Sequence, residues 1–302
     1  MAILHKENNF TIIDYRASAI LYNFLVAKKI QGHFILPVNI CPVVESVFIA
    51  AGITVDFADI CPYNLCIDEQ QLFDLLSRKK YTGVLLNHTY GVEVSFEELV
   101  KKLKSKYDIV VIEDKCLCLP DLKANNAVDL TLFSTGYSKF IELKYGGGIG
   151  ITNAPFNKDA LTGQIVKLSN NIEIVLNKFN VSFHDYISDI ENLKEKTLTH
   201  KSEINEIYKN LLTAESLKSD FNNWRFNILV ENKKQIIDKI FKEGLFASSH
   251  YSPLINDSSK FPNAVYLYEH VINLFNDFYF NKDMALKITS IINSLIMRND
   301  TM

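Results

Sequence analysis

From about residue 30 to about residue 135 the chain alternates short, unbroken apolar runs with stretches of helical periodicity, and few folds accommodate that alternation. Phe34-Ile35-Leu36-Pro37-Val38 reads as a buried strand. Pro42, suited to a first helical position, opens a helix over Val43 to Ala51 that Gly52 stops. Thr54 to Ala58 is the next strand, and Asp68 to Ser77 an amphipathic helix with Leu72, Phe73, Leu75 and Leu76 inward. Tyr81 to Asn87 is a third strand, and Ser95 with Glu98 forms a capping box for a helix over Phe96 to Tyr107. Ile109 to Ile112 is a fourth. Strands apolar on both faces and separated by helices imply an α/β fold with a parallel sheet covered on both sides. Ligands of such sheets bind beyond the carboxyl ends of the strands. His88, Asp114 and Ser134 each follow the end of a different predicted strand, so they converge on one candidate site.

The flanks read differently. Asn9 to Lys29 is expected to form a helix, with Ile20, Leu21, Phe24 and Leu25 at helical spacing after Thr11–Asp14. Asp159 to Leu212 reads as helical and increasingly charged, closing in a connecting helix over Ile190 to Leu212. A β-rich segment starts at Asn223 to Val230, followed by a helix from Lys233 to Lys242 capped by Gly244, a strand over Val271 to Phe275 and a closing helix over Lys282 to Ile296. Two domains are expected, a ligand-binding large domain over residues 1–184 and a connecting helix with a small α+β domain over residues 185–302. With 48% apolar and 22% charged residues in 302, there is material for a substantial core.

Other classes are disfavoured. A net charge of −3 and the lack of a basic tract give no footprint for nucleic acid. No apolar run reaches the roughly 18 residues of a membrane span, and Ala2–Leu4 leads at once into His5, Lys6 and Glu7, unlike a secretory leader. Cys41, Cys61, Cys66, Cys116 and Cys118 lack metal or disulfide spacing and read as reduced thiols of a cytoplasmic protein, with no metal site expected.

The chemistry centres on Leu130 to Thr152, where an apolar run ends in small polar residues, then Lys139, then a glycine turn into another β-like run. A lysine able to form a Schiff base and an aspartate at a strand end, Asp114, are what pyridoxal phosphate (PLP) chemistry requires. The aspartate keeps the pyridine nitrogen protonated, and alternation along the strand turns Glu113 the other way. Ser134 and Ser138 flank the lysine and are phosphate candidates, as are Ser18 and the N–H groups near Ala17 at a helix start. The residues alone leave Lys144 as a competitor for Lys139, and leave both Lys139 and Asp114 open to ordinary loop roles. His88 is equally a cofactor neighbour and a structural loop histidine. Gly146, Gly147, Gly148 and Gly150 do not open a helix, so they read as a turn and not as a dinucleotide fingerprint.

These motifs, in this order, resemble the DegT/DnrJ/EryC1/StrS family of PLP-dependent sugar aminotransferases, of aspartate-aminotransferase-like (fold type I) architecture. NHTYG (Asn87–Gly91) is similar to the family's H-x-Y-G segment, VIED (Val111–Asp114) to its V-I-E-D segment, and FSTGYSK (Phe133–Lys139) has its spacing from phosphate-binding serine to Schiff-base lysine. GGGIGIT (Gly146–Thr152) resembles its glycine turn and FASSHYSPL (Phe246–Leu254) its segment near the sugar. The resemblance implies Lys139 as Schiff-base lysine and proton shuttle in preference to Lys144, Asp114 at the pyridine nitrogen and Ser134 at the phosphate. It implies that Asn180 reaches the phosphate of a neighbouring subunit's cofactor, in a homodimer with shared active sites. The implied activity is amino transfer, from glutamate by family analogy, to a keto-sugar linked to a nucleotide.

The chain departs from the family pattern at several positions. Leu117 stands where Gln or His usually holds the cofactor's phenolic oxygen, Cys41 where many members stack an aromatic ring, and Ser182 where an arginine follows the interface asparagine. Arg16-Ala17-Ser18 lacks the usual glycine of the phosphate-binding helix start. These departures support an alternative: a protein that keeps the fold with weak or no transaminase activity and acts by binding or regulation. A different PLP reaction on a sugar, such as dehydration, is the third reading, and Lys139 argues against it.

Overall fold

In a computed structural model, which describes residues 5–6, 9–122, 127–157, 161, 163–167, 173–176 and 179–296, the chain builds a large and a small sheet. The large sheet takes strands β1 (His5–Lys6), β2 (Asn9–Asp14), β3 (His33–Pro37), β4 (Thr54–Ala58), β5 (Gly83–Asn87), β6 (Val110–Asp114), β7 (Leu130–Ser134) and β8 (Gly148–Thr152), in the order β1-β2-β8-β7-β6-β5-β3-β4. The run from β4 to β7 is parallel, while β8 and β2 are antiparallel. This is the mixed, mostly parallel sheet of fold type I aminotransferases. Helices α1 (Ala17–Ala27) and α2 (Pro42–Ala50) cover one face, α3 (Glu69–Arg78) and α4 (Glu97–Tyr107) the other, and each face has its own apolar cluster. The inner strands β3, β5 and β7 are buried on both faces because they are unbroken apolar runs, whereas β4, at the sheet edge with Asp56 in its middle, is only half-buried.

After β8 come the short hairpin β9 (Ile165–Lys167) and β10 (Glu173–Val175), then the long helix α5 (Phe183–Leu211). The Ser182 hydroxyl caps α5 by accepting the Asp185 N–H at 3.1 Å. The small sheet, antiparallel throughout, has the order β11-β12-β14-β13 from strands β11 (Glu215–Ser216), β12 (Phe226–Leu229), β13 (Ala247–Ser248) and β14 (Val271–Leu274). Helices α6 (Lys233–Lys242) and α8 (Lys282–Ile296) join α5 in closing its core, and α7 (Pro262–His270) leads directly into β14.

Four expectations need correction. Asn9–Asp14 is strand, not the lead-in of a helix: Phe10 to Ile13 pair with β8, and in this β-rich hexapeptide tertiary pairing wins over the helical signal that follows it. The described part of 159–182 is the β9–β10 hairpin and extended chain, and α5 begins only at Phe183; Asp159 itself lies outside the described residues. The capping box is not made, because Phe96 takes the N-cap position and Ser95 Oγ meets only the Glu97 N–H, at 3.4 Å. Helix α7 was not anticipated, although Pro262 opens it as Pro42 opens α2.

Candidate active site

A cavity of about 690 Å³ lies at the carboxyl ends of the parallel strands, the size of a small-molecule site. It straddles the point between neighbouring strands β3 and β5, from which the chain runs in opposite directions to β4 and to β6, the crevice in which doubly wound sheets bind ligands. Strand β3 delivers Asn39, Ile40 and Cys41 to its wall, β5 delivers Asn87, His88 and Thr89, β6 delivers Asp114 and Cys116, and β7 delivers Ser134. Lys139 and Tyr137 come from the loop after β7, and Ala17 and Ser18 from the first turn of α1. Lys139 and Asp114 thus face one cavity.

Local geometry explains each placement. Asp114 and Glu113 point to opposite faces of β6. The Asp114 Oδ1 accepts the Cys116 N–H at 2.9 Å, which fixes the carboxylate's rotamer at the cavity wall. Among the described residues none bonds the Lys139 ammonium, whose backbone N–H is held by the Gly136 carbonyl at 3.2 Å. The Ser134 hydroxyl is loosely held, 3.4 Å from both the Gly147 carbonyl and the Gly136 N–H, and is available to a ligand. Gly148 lets β8 pass against the start of α1, since a Cβ there would meet the Ala17 nitrogen at 2.3 Å. Lys144 also borders the cavity but is exposed.

His88 resolves toward structure. Its Nδ1 sits 2.7 Å from the Val92 carbonyl, which can only accept, so Nδ1 carries a proton; its Nε2 lies 2.8 Å from Glu113 Oε1. Burial, the largest single influence, would raise the Glu113 carboxyl, but the hydrogen bond and charge of His88, the Lys115 charge and the Thr131 hydroxyl together outweigh it, and the group lies below its ordinary value. Both ring nitrogens are therefore committed, and His88 contributes a wall, not a mobile proton. Ser138 is corrected more strongly: it is not among the residues lining the cavity, and its hydroxyl accepts a hydrogen bond from Arg225. Asn180 is exposed and does not line the cavity of its own chain.

Several residues of the site had no sequence signal. Tyr15 Oη, Asn39 Oδ1 and Asn87 Oδ1 are buried, line the cavity and find no hydrogen-bond partner among the described residues, the condition of a site built to receive a polar ligand. Tyr251 also lines it; burial first, then the nearby Cys41 and Asp114, push its phenol well up, so it is a neutral O–H donor. Burial and then the Asp114 charge likewise raise the Cys116 thiol well above its usual range, leaving it unreactive. Asn39 and Asn87 could have been found from the strand-end rule alone, because each follows or ends a parallel strand.

The sheet order and the strand-end cavity are those of the fold type I architecture. Residues 21–153 match the sequence model of the DegT/DnrJ/EryC1/StrS aminotransferase family. It is similar over 96% of its length to PseC of Helicobacter pylori, an aminotransferase of pseudoaminic acid biosynthesis (TM-score 0.73, 18% identity, 87% of that chain). It is similar over 96% to DesI solved in the presence of its TDP-sugar product (TM-score 0.75, 13% identity, 83% of that chain). NtdA of Bacillus subtilis with bound cofactor PMP matches 94% of the chain (TM-score 0.69, 19% identity, 73% of that chain). No curated protein sequence matches. Among the described residues no helix is long and apolar enough to cross a membrane, and no group of three or more His, Cys, Asp or Glu side chains is placed to hold a metal ion.

Proposed function

We propose that the protein is a PLP-dependent aminotransferase that passes an amino group from glutamate to a keto-sugar carried on a nucleotide. The observation that carries this reading is the unpartnered Lys139 amine and the Asp114 carboxylate on the wall of one cavity. The donor set fits the cofactor: a carboxylate for the pyridine nitrogen, a serine hydroxyl and helix-start N–H groups for a phosphate, and unsatisfied amide and phenol oxygens around the remainder. Bound there, PLP supplies the electron sink that lets the Cα–H bond of an amino donor break.

The side chains divide the work. Asp114 holds a proton on the pyridine nitrogen. Lys139 Nζ carries the proton between the donor's Cα and the cofactor's C4′ carbon. Ser134, with the first turn of α1 at Ala17 and Ser18, would take the phosphate, and Cys41 and His88 would contribute to the wall around the cofactor. Asn180, on the surface of its own chain, reaches the partner's phosphate in a homodimer. The two-domain division at 184/185 is supported by the separate sheets, and a cytoplasmic setting by five cysteines that are all free thiols.

The test is direct. PLP added to the purified protein should give a visible absorbance band that Lys139→Ala abolishes, and borohydride should fix PLP on Lys139 by peptide mass. Labelling of Lys144, or none, overturns the assignment. Leu117, apolar on the cavity wall where relatives place a polar side chain, favours one second reading, a binding or regulatory protein of this fold. A band without turnover on any keto-sugar and amino donor would select it.

A further inference from the structure

Ser138, the residue before Lys139, has every polar group engaged. Its N–H donates to Glu142 Oε2 at 2.7 Å, its carbonyl accepts the Trp224 indole N–H at 2.7 Å, and its hydroxyl accepts from the Nη2 of Arg225. Its φ of +59° lies in the left-handed region, uncommon for a serine and sustained only where the surroundings over-determine it. The other prong of the same guanidinium, Nη1, donates to the hydroxyl of Ser248, three residues before Tyr251 on the cavity wall. One planar fork from β12's leading edge thus ties the lysine loop of the large sheet to the C-terminal segment that delivers Tyr251.

The fork is itself braced. Trp224 stacks on Tyr90 with ring centroids 6.2 Å apart and an interplanar angle of 11°. The guanidinium packs on the rings of Trp224 and Phe275 at 4.3 and 3.8 Å, and the buried Lys201 donates to the Trp224 carbonyl at 2.8 Å. Arg225 is only 4% exposed, and its hydrogen bonds go to neutral hydroxyls, not to a carboxylate. Burial disfavours the cation and the nearby Asp277 charge offsets only part of that, so a guanidinium that no carboxylate among the described residues bonds directly is expensive to bury. What it supplies in return is geometry: two donors at fixed spacing and angle, which an ammonium cannot reproduce.

We propose that Arg225 is a positioning residue, whose fork fixes the Lys139 backbone relative to the Tyr251 segment, with the Trp224 indole as a second pin. Its purpose rests on the Lys139 reading above, but the contacts belong to the chain alone, so the test uses the cofactor-free protein. The rate at which an N-hydroxysuccinimide ester acylates Lys139 is measured by peptide mass against solvent-facing Lys234 in the same molecule. Emission of Trp224, the single tryptophan, is followed in parallel.

Arg225→Lys should raise the Lys139:Lys234 ratio about fivefold, the rate equivalent of one lost hydrogen bond of about 1 kcal/mol, and shift the emission to the red. Ser138→Ala should do the same, and the two together no more than Arg225→Lys alone, because both remove the Arg225–Ser138 bond. An unchanged ratio in Arg225→Lys, or full additivity with Ser138→Ala, overturns the proposal; so does a fall in melting temperature without a change in ratio. If the arginine variants do not fold, Ser138→Ala and Ser248→Ala, which delete only a hydroxyl, decide by the same readout. Absence of a PLP absorbance band in every variant would sink the cofactor reading while leaving the acylation result to stand or fall separately.

Discussion

At the scale of single residues, the site is defined by what is left unpaired in it. Lys139 has a free ammonium, while Asp114 has one carboxylate oxygen occupied by the Cys116 N–H. Replacing Lys139 by Ala should cut transamination by about 10²–10⁴-fold, the share of a positioned proton carrier; transfer assays with external amines, which restore part of it, check the role. Asp114→Asn should lose turnover to a similar order while still binding PLP, seen as a retained absorbance band with lost activity. The neighbouring pair behaves oppositely. The Glu113 carboxyl is depressed below its ordinary value of 4.5, because against burial stand His88, the Lys115 charge and the Thr131 hydroxyl together, so its stabilisation is full above that pH and is lost as pH falls through the lower folded value. His88→Ala should cost about 3–5 kcal/mol by leaving a buried carboxylate unpaired and should move acid unfolding to higher pH, read by circular dichroism. That Lys139, Asp114 and Ser134 line one cavity was legible because each sits at a fixed offset from a strand. Tyr15, Tyr251 and Arg225 were not, because their places exist only where distant segments meet.

At the scale of elements, legibility followed periodicity. The inner parallel strands β3, β5 and β7 are apolar on both faces, and α2, α3, α6 and α8 have boundaries within a residue or two of their patterns. Strand β2 and the β9–β10 hairpin failed for a common reason: short segments take their conformation from a partner, and the partner of β2 is β8, well over a hundred residues away. The glycine turn before β8 shows an element's geometry resting on one position. Gly147 has a φ of +133°, and a Cβ there would meet the Tyr186 ring at 2.5 Å and the Thr135 hydroxyl at 2.7 Å. Gly147→Ala should therefore destabilise the fold by about 1–3 kcal/mol or more, measured by urea unfolding, and disturb Thr135, whose hydroxyl lies 2.6 Å from Tyr186 Oη behind the lysine loop.

At the scale of the whole molecule, the C-terminal sheet completes a site whose chemistry comes from the N-terminal one. His250, between the two, is pushed down from 6.5 to about 4 by burial first and then by the Arg225 and Lys139 charges. A base depressed in the folded state contributes stability that is full above pH 6.5 and is lost as pH falls toward 4, because the unfolded chain binds the proton first. His250→Gln should flatten that part of the stability profile, checked by urea midpoints across the window. The shared-site proposal makes a second prediction: mixing Lys139→Ala with Asn180→Ala subunits should restore about a quarter of wild-type activity, since half of the random dimers are mixed and each holds one intact site. No recovery after mixing refutes subunit sharing. The sequence by itself determined the parallel sheet, the strand-end location of the site and the residues at fixed offsets from those strands, because a periodic apolar pattern and a short turn act locally. Only the tertiary structure decided that Ser138 belongs to Arg225, that His88 belongs to Glu113 and that Tyr251 reaches the cavity, because those choices depend on which buried polar group can find a partner once separate elements pack together.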